Sequence, residues 1–169
     1  MSAKEIREVY RGHTIRVEVG TWEAGEREVV RHPGAVAVVA LVEGDRVMLV
    51  RQMREALEQR ILEIPAGKRD VAGEPPEETA RRELKEETGY RLTSVRPLAR
   101  IHSSPGFSDE EVLLYVGEAQ PDGPAEPDDS EGDIEVVVMP LADAVQAVRE
   151  GRITDAKSAV ALLLAASPS

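Results

Sequence analysis

The sequence predicts an α/β (α+β) chain in which a mixed β-sheet is packed between helices. Three observations predict it. A continuous β-rich apolar run at 35–43 reads as a strand buried on both faces. Strand patterns lie on both sides of one mid-chain helix pattern at 77–88. Two further helical patterns, 141–150 and 155–166, close the chain.

The elements follow in order. Residues 5–19 alternate roughly and carry Val, Ile and Tyr, which predicts a first hairpin turning near Gly12. Residues 26–32 read as another strand, and Pro33-Gly34 then punctuates the chain. That break separates an N-terminal strand region, 1–32, from the main domain, 33–169. The run at 35–43 turns at Glu43-Gly44-Asp45 and returns at 46–53. A short strand at 61–64 ends in Pro65-Ala66-Gly67, followed by a polar loop at 68–73. Pro75 and Pro76, then acidic Glu77 and Glu78, mark a helix start, and Gly89 marks its end. Residues 91–103 and 111–118 read as strands around the turn Ser104-Pro105-Gly106-Phe107. Residues 119–133 are rich in Pro, Gly and Asp and form an acidic loop, after which 134–139 resumes as a strand.

A length of 169 residues fits one domain or at most two very small ones, and is large enough to bury roughly 70% of its unfolded surface. Apolar residues make up 41% and charged residues 31%, the balance of a soluble globular protein. Aromatics are only 3%, so Val, Leu, Ile and Ala must build the core. The absence of cysteine excludes disulfides, thiolate metal sites, iron–sulfur clusters and cysteine catalysis, and fits a cytoplasmic location. Asp and Glu outnumber Lys and Arg by 32 to 21, giving a net charge of -11. That is not the basic face of a nucleic-acid binder. A small anion can still bind through a local basic cluster or bridging divalent cations. The N-terminus lacks a signal-peptide pattern, and the apolar runs at 35–42 and 159–166 fall short of the roughly 20 residues a bilayer requires. No membrane partner is therefore expected.

The segment Arg82-Glu83-Leu84-Lys85-Glu86-Glu87-Thr88-Gly89 carries the chemistry. Glu83, Glu86 and Glu87 fall within about 100° of one another on a helix. Like charges at that spacing, near a helix C-terminus, oppose helix formation. Either the face is solvated, with Arg81, Arg82 and Lys85 as counter-charge, or a hard divalent cation sits on it.

The wider spacing favours the cation. Gly67, six residues, Glu74, seven residues, then Arg82 to Tyr90 resembles the Nudix box, a pattern of Gly, five residues, Glu, seven residues and Arg-Glu-apolar-x-Glu-Glu-x-Gly-apolar. One extra residue falls in the loop after Gly67, where insertion is tolerated. Tyr90 fills the last apolar slot. The resemblance spans roughly residues 28–165.

The resemblance implies an α/β/α sandwich around a mixed sheet, with an N-terminal strand extension. It implies hydrolysis of a nucleoside diphosphate linked to another group, with Mg²⁺ as cofactor and Mn²⁺ as a substitute. Glu83 and Glu87 are then the main metal ligands, Glu86 a further catalytic candidate, and the Ala66 carbonyl completes the metal site. Arg82 and Glu74 tie helix to loop, and Gly67 and Gly89 permit turns. Two features resemble the ADP-ribose pyrophosphatase branch. One is Ser104 to Glu110, which places Pro105 fifteen residues after Tyr90. The other is Val50 to Arg54 followed by Leu62-Glu63-Ile64-Pro65-Ala66-Gly67. Arg54, and secondarily Arg51, would grip the substrate. Pro105-Gly106 is a substrate-binding element or an ordinary turn.

In that branch the loop at 119–133 would carry a carboxylate acting as base or positioning water, with Glu131 the choice over Glu126, Asp128, Asp129 and Asp133. Trp22 is a core or interface residue, or stacks on adenine, and relatives form homodimers by swapping N-terminal strands. His13, His32 and His102 lack ligand spacing and read as structural. The leading expectation is ADP-ribose cleavage to AMP and ribose 5-phosphate. The alternatives are another nucleotide sugar or dinucleotide (GDP-mannose, NADH, FAD) and a non-catalytic nucleotide-sensing module.

Overall fold

Residues 3–126 and 134–167 are described by a computed structural model. An antiparallel sheet comes first, with β1 (Glu5–Arg11), β2 (Arg16–Trp22) and β3 (Gly25–Arg31) in that order. Its β1 strand is exposed throughout. The main sheet follows, from β4 (Ala35–Val42), β5 (Arg46–Arg54), β6 (Gln59–Glu63), β7 (Ala66–Lys68), β8 (Tyr90–Leu92), β9 (Arg96–His102), β10 (Glu111–Pro121) and β11 (Glu135–Pro140). Three helices cover it: α1 (Pro76–Thr88), α2 (Leu141–Arg149) and α3 (Ala156–Ala165). None is long and apolar enough to cross a membrane.

The sheet is mixed because β4 and β10 run parallel while β5, β7, β8, β9 and β11 join by antiparallel pairing. The apolar run predicted to be buried on both faces forms β4. Its alternate residues divide between the two sides, as period-two geometry requires. Ala35, Ala37 and Val39 pack with Ala144, Ala147, Ala161 and Leu162 of α2 and α3. Val36, Val38 and Ala40 pack with Ala80 and Leu84 of α1. One strand thus fixes α1 on one face and α3 on the other.

Two elements differ from expectation. The strand expected over 91–103 is broken into β8 and β9. Both pair with β10, which at eleven residues outruns either partner. Between them the chain crosses β10 closely, with Thr93 N donating to Glu118 O at 2.8 Å and Glu118 N donating to Ser94 Oγ at 3.1 Å. Gly117 makes the crossing possible, since a Cβ there would lie 2.0 Å from the Ser94 carbonyl oxygen. The other difference is β7, expected as turn and loop, which pairs with the start of β4. Three residues containing a glycine carry no periodicity to read.

The N-terminal sheet is fastened to the main domain at the turn after β9. Val30 N donates to Phe107 O at 2.7 Å, Asp109 N to Val30 O at 3.1 Å, and Arg31 pairs with both Glu18 and Asp109.

Candidate active site

Helix α1 begins behind Pro75, with Glu77 and Glu78 at its positive end. It ends at Gly89, whose φ of +73° is a left-handed cap that favours glycine. Between these limits the apolar period places Ala80 and Leu84 against β4. That orientation carries Glu83 and Glu87 inward with them, 7% and 2% exposed, while Glu86 stays half-buried. The acidic triplet is therefore not a solvated face. Two like-charged carboxylates one helical turn apart are buried together.

They face a cavity of about 930 Å³. Its walls come from both sides of the sheet's end: Glu83, Glu86 and Glu87 of α1, Ala66 and Gly67 of β7, Arg54 of β5, Glu63 of β6 and Lys157 of α3. Gly67 is required by a close approach, since a Cβ on it would fall 1.8 Å from Glu83 Cδ. It sits within a strand at ordinary φ, so its role is to make room for the carboxylate rather than to permit a turn.

Arg82 cross-links the cluster. Its Nη1 lies 2.9 Å from Glu83 Oε1 and 2.9 Å from Glu86 Oε2, and its Nε lies 3.2 Å from Glu74 Oε1. Burial pushes the guanidinium pKa down, but Glu74, Glu83 and Glu86 more than offset this and hold it above the usual range. Glu74 also accepts from Thr79 Oγ1 at 2.8 Å. The loop before the helix is exposed over 70–73, where Gly73 turns with φ +80°, and the Glu74–Arg82 contact is made despite its length. Among the described residues no three acidic side chains converge as a ready-made cage. A cation bound here would compete with Arg82 for Glu83 and Glu86. The donor set suits a hard divalent ion, being carboxylate oxygen with no sulfur or imidazole among these three residues.

The NUDIX domain model matches residues 31–161. The chain belongs to the Nudix family. It is a hydrolase acting on a phosphoanhydride. It is 39% identical over 165 residues to the methanol dehydrogenase activator of Bacillus methanolicus, covering 94% of this chain and 88% of that one. It is 42% identical over 148 residues to the ADP-ribose pyrophosphatase of Bacillus subtilis (strain 168), covering 86% and 79%. In fold it matches a crystal structure of an ADP compounds hydrolase with a TM-score of 0.80, at 24% identity, over 97% of this chain and 91% of that one. Hydrolases of this family generally use a divalent metal and act on small nucleoside diphosphate derivatives.

Within this Nudix domain the remaining expected residues divide. Arg54 lines the cavity and binds Glu63 through Nε and Nη2, both at 2.7 Å. Hydrogen bonding to Glu63 raises its pKa against the opposing effect of burial, with Asp155 and Glu87 adding to the rise. Arg51 is exposed, pairs with Glu135 at 3.6 Å and does not line the cavity. Trp22 packs over Gly20 on the N-terminal sheet, also away from the cavity. Pro105 and Gly106 are exposed in the turn beyond β9, while the adjoining His102 and Ser103 line the cavity mouth. His32 lines it too, accepting from Gly34 N through Nδ1 at 3.1 Å. Glu126 is placed by its backbone N–H, which donates to Glu86 O at 2.8 Å. Glu131, Asp128, Asp129 and Asp133 lie outside the described residues.

Sequence reasoning missed Glu63 and Lys157. Glu63 is 1% exposed and receives Arg54 and Lys157, the latter at 2.6 Å. The signal was available, since a carboxylate between Leu62 and Ile64 in an apolar strand must be paired to be buried.

Burial pushes the Glu63 carboxyl up, but Arg54 and Lys157 overrule it and hold it below the ordinary range. A carboxyl depressed on folding contributes stability above its unfolded pKa, about 4.3, and loses that contribution as pH falls through the folded value. The melting temperature of the wild type is therefore expected to fall below about pH 4.3. Glu63→Gln should be less stable than wild type at neutral pH, with the two curves converging in acid. Parallel curves would show that Glu63 does not contribute to the acid limb.

Proposed function

We propose that the protein is a Mg²⁺-dependent hydrolase that cleaves ADP-ribose to AMP and ribose 5-phosphate. The observation that carries the reading is the meeting of buried Glu83 and Glu87 with Arg54 in one cavity. Two buried carboxylates supply the oxygen donors that a hard divalent cation prefers, and an arginine beside them suits the phosphate of a substrate that brings metal and phosphate together. The relative named as an ADP-ribose pyrophosphatase supports the choice of substrate.

Glu83, Glu87 and the Ala66 carbonyl would hold the metal, with Glu86 as an additional ligand and Mn²⁺ as a substitute. When bound, the ion neutralises the phosphoanhydride and lowers the pKa of a water at neutral pH. The chain's own residues position the reactants. Arg54 binds phosphate or the terminal ribose in an orientation set by Glu63. Arg82 holds the α1 carboxylates and, through Glu74, the loop before the helix. Glu131 is the proposed base, orienting or deprotonating the attacking water.

The assembly we propose is a cytoplasmic homodimer in which residues 1–32 exchange strands. The exposed Ile6, Val9 and Tyr10 on β1 support it. In that dimer Trp22 would stack on adenine at the partner's site.

Incubation with ADP-ribose and Mg²⁺, with and without chelator, tests the reading. AMP and ribose 5-phosphate should appear only without chelator. Survival of ADP-ribose alongside cleavage of GDP-mannose, NADH or FAD would reassign the substrate, and survival of all four together with binding of a nucleotide would favour the nucleotide-sensing alternative over this reading.

A further inference from the structure

The start of α3 is pinned to the end of β6. Asp155 caps the helix, its Oδ2 accepting from Ser158 N at 2.9 Å and from Ser158 Oγ at 2.5 Å. The same Ser158 Oγ accepts from Ile64 N at 2.9 Å, with Ser158 fully buried. Ile64 follows Glu63 and Ser158 follows Lys157, so this junction sets the two charged side chains against each other. Lys157 Nζ lies 2.6 Å from Glu63 Oε2 and 3.0 Å from Asp155 Oδ2. Arg54 approaches the same carboxylate, and all three side chains line the cavity that holds Glu83 and Glu87.

We propose that Lys157 is a positioning residue for anion binding. Acting through the shared carboxylate of Glu63, it holds the Arg54 guanidinium toward the cavity and keeps its charge available to a phosphoanhydride.

The charges explain why a lysine is needed. Glu63 with Arg54 alone is a neutral pair, and a neutral pair attracts an anion only weakly. A second cation on Glu63 restores the attraction. Asp155 does not cancel it in full, because that carboxylate is committed to the helix N-terminus, where the α3 dipole opposes its charge. The geometry agrees. Arg54 uses Nε and Nη2 on Glu63, leaving Nη1 without a hydrogen bond among the described residues. A carboxylate at 1% exposure fixes that edge of the guanidinium far more firmly than a surface pair would.

The proposal rests on the phosphoanhydride reading of the cavity, so the experiment carries one probe that needs no hydrolysis. Calorimetry with inorganic pyrophosphate and Mg²⁺ is run beside steady-state kinetics with ADP-ribose, on wild type, Lys157→Met, Lys157→Arg, Arg54→Ala and the Lys157→Met/Arg54→Ala double variant. Lys157→Met should raise the pyrophosphate Kd and the ADP-ribose KM about tenfold, with kcat changed far less. Lys157→Arg should recover most of the loss. In the Arg54→Ala background Lys157→Met should add little, because its effect passes through Arg54.

A fall in kcat and melting temperature with Kd and KM unchanged would make Lys157 merely structural and overturn the proposal. Full additivity with Arg54→Ala would overturn its route through Glu63, as would failure of the wild type to bind pyrophosphate. If the wild type leaves ADP-ribose intact, the substrate reading fails, while the pyrophosphate arm still decides the role of Lys157.

Discussion

Glu87→Gln is expected to lower kcat by about 10²–10³-fold, the range for loss of one group that stabilises transition-state charge, while the folded state stays as stable or becomes more so. The two halves of that expectation have one cause. Glu87 is buried one helical turn from Glu83, which is buried as well. Two carboxylates so placed repel each other and have lost their hydration. An amide of the same shape removes the repulsion and fills the same volume, so stability should not suffer. What it cannot do is supply negative charge to a divalent cation. Activity and melting temperature should therefore move independently or in opposite directions. Kinetics across a Mg²⁺ titration, with thermal unfolding of the same samples, makes the comparison. A variant that loses both together would show that Glu87 belongs to the packing of α1. One that keeps full activity would remove it from the metal site.

The legible parts of this chain are those where a period or a spacing constrains the residue. The continuous apolar run at 35–43 announced a strand with two buried faces, and the structure places α1 on one and α2 with α3 on the other. The glutamates of α1 by themselves allowed a solvated face; the wider box spacing singled them out, and the structure buries Glu83 and Glu87. Other features depend on contacts between distant segments, which spacing does not encode. The division into β8 and β9 follows from the length of β10 and the approach of Ser94 to Gly117. Resemblance ranked Arg54 ahead of Arg51 without a physical reason for the order. Their separation follows from partners: Arg51 meets exposed Glu135, whereas Arg54 meets buried Glu63. Lys157 stands 94 positions from that same glutamate, and no local pattern connects them.

Gly67→Ala is expected to be the most damaging small substitution in the site. Glycine here supplies empty space, and its backbone φ is one that alanine accepts. The added methyl would lie 1.8 Å from Glu83 Cδ and 2.2 Å from its Oε2, distances no contact tolerates. Either β7 retreats from its pairing with Val36 on β4, or the Glu83 side chain leaves its place. The carboxylate is the softer of the two, although it is nearly buried and tied to Arg82, so displacement has a cost. We expect a stability loss of about 1–3 kcal/mol, the usual range for overpacking, and a fall in metal-dependent activity of about 10²-fold. A double-mutant cycle separates this from a general strand defect. In a Glu83→Ala background the methyl has room, so the stability penalty of Gly67→Ala should largely vanish. If the penalty persists there at full size, the obstruction lies in the backbone of β7, and Gly67 does not serve to seat Glu83.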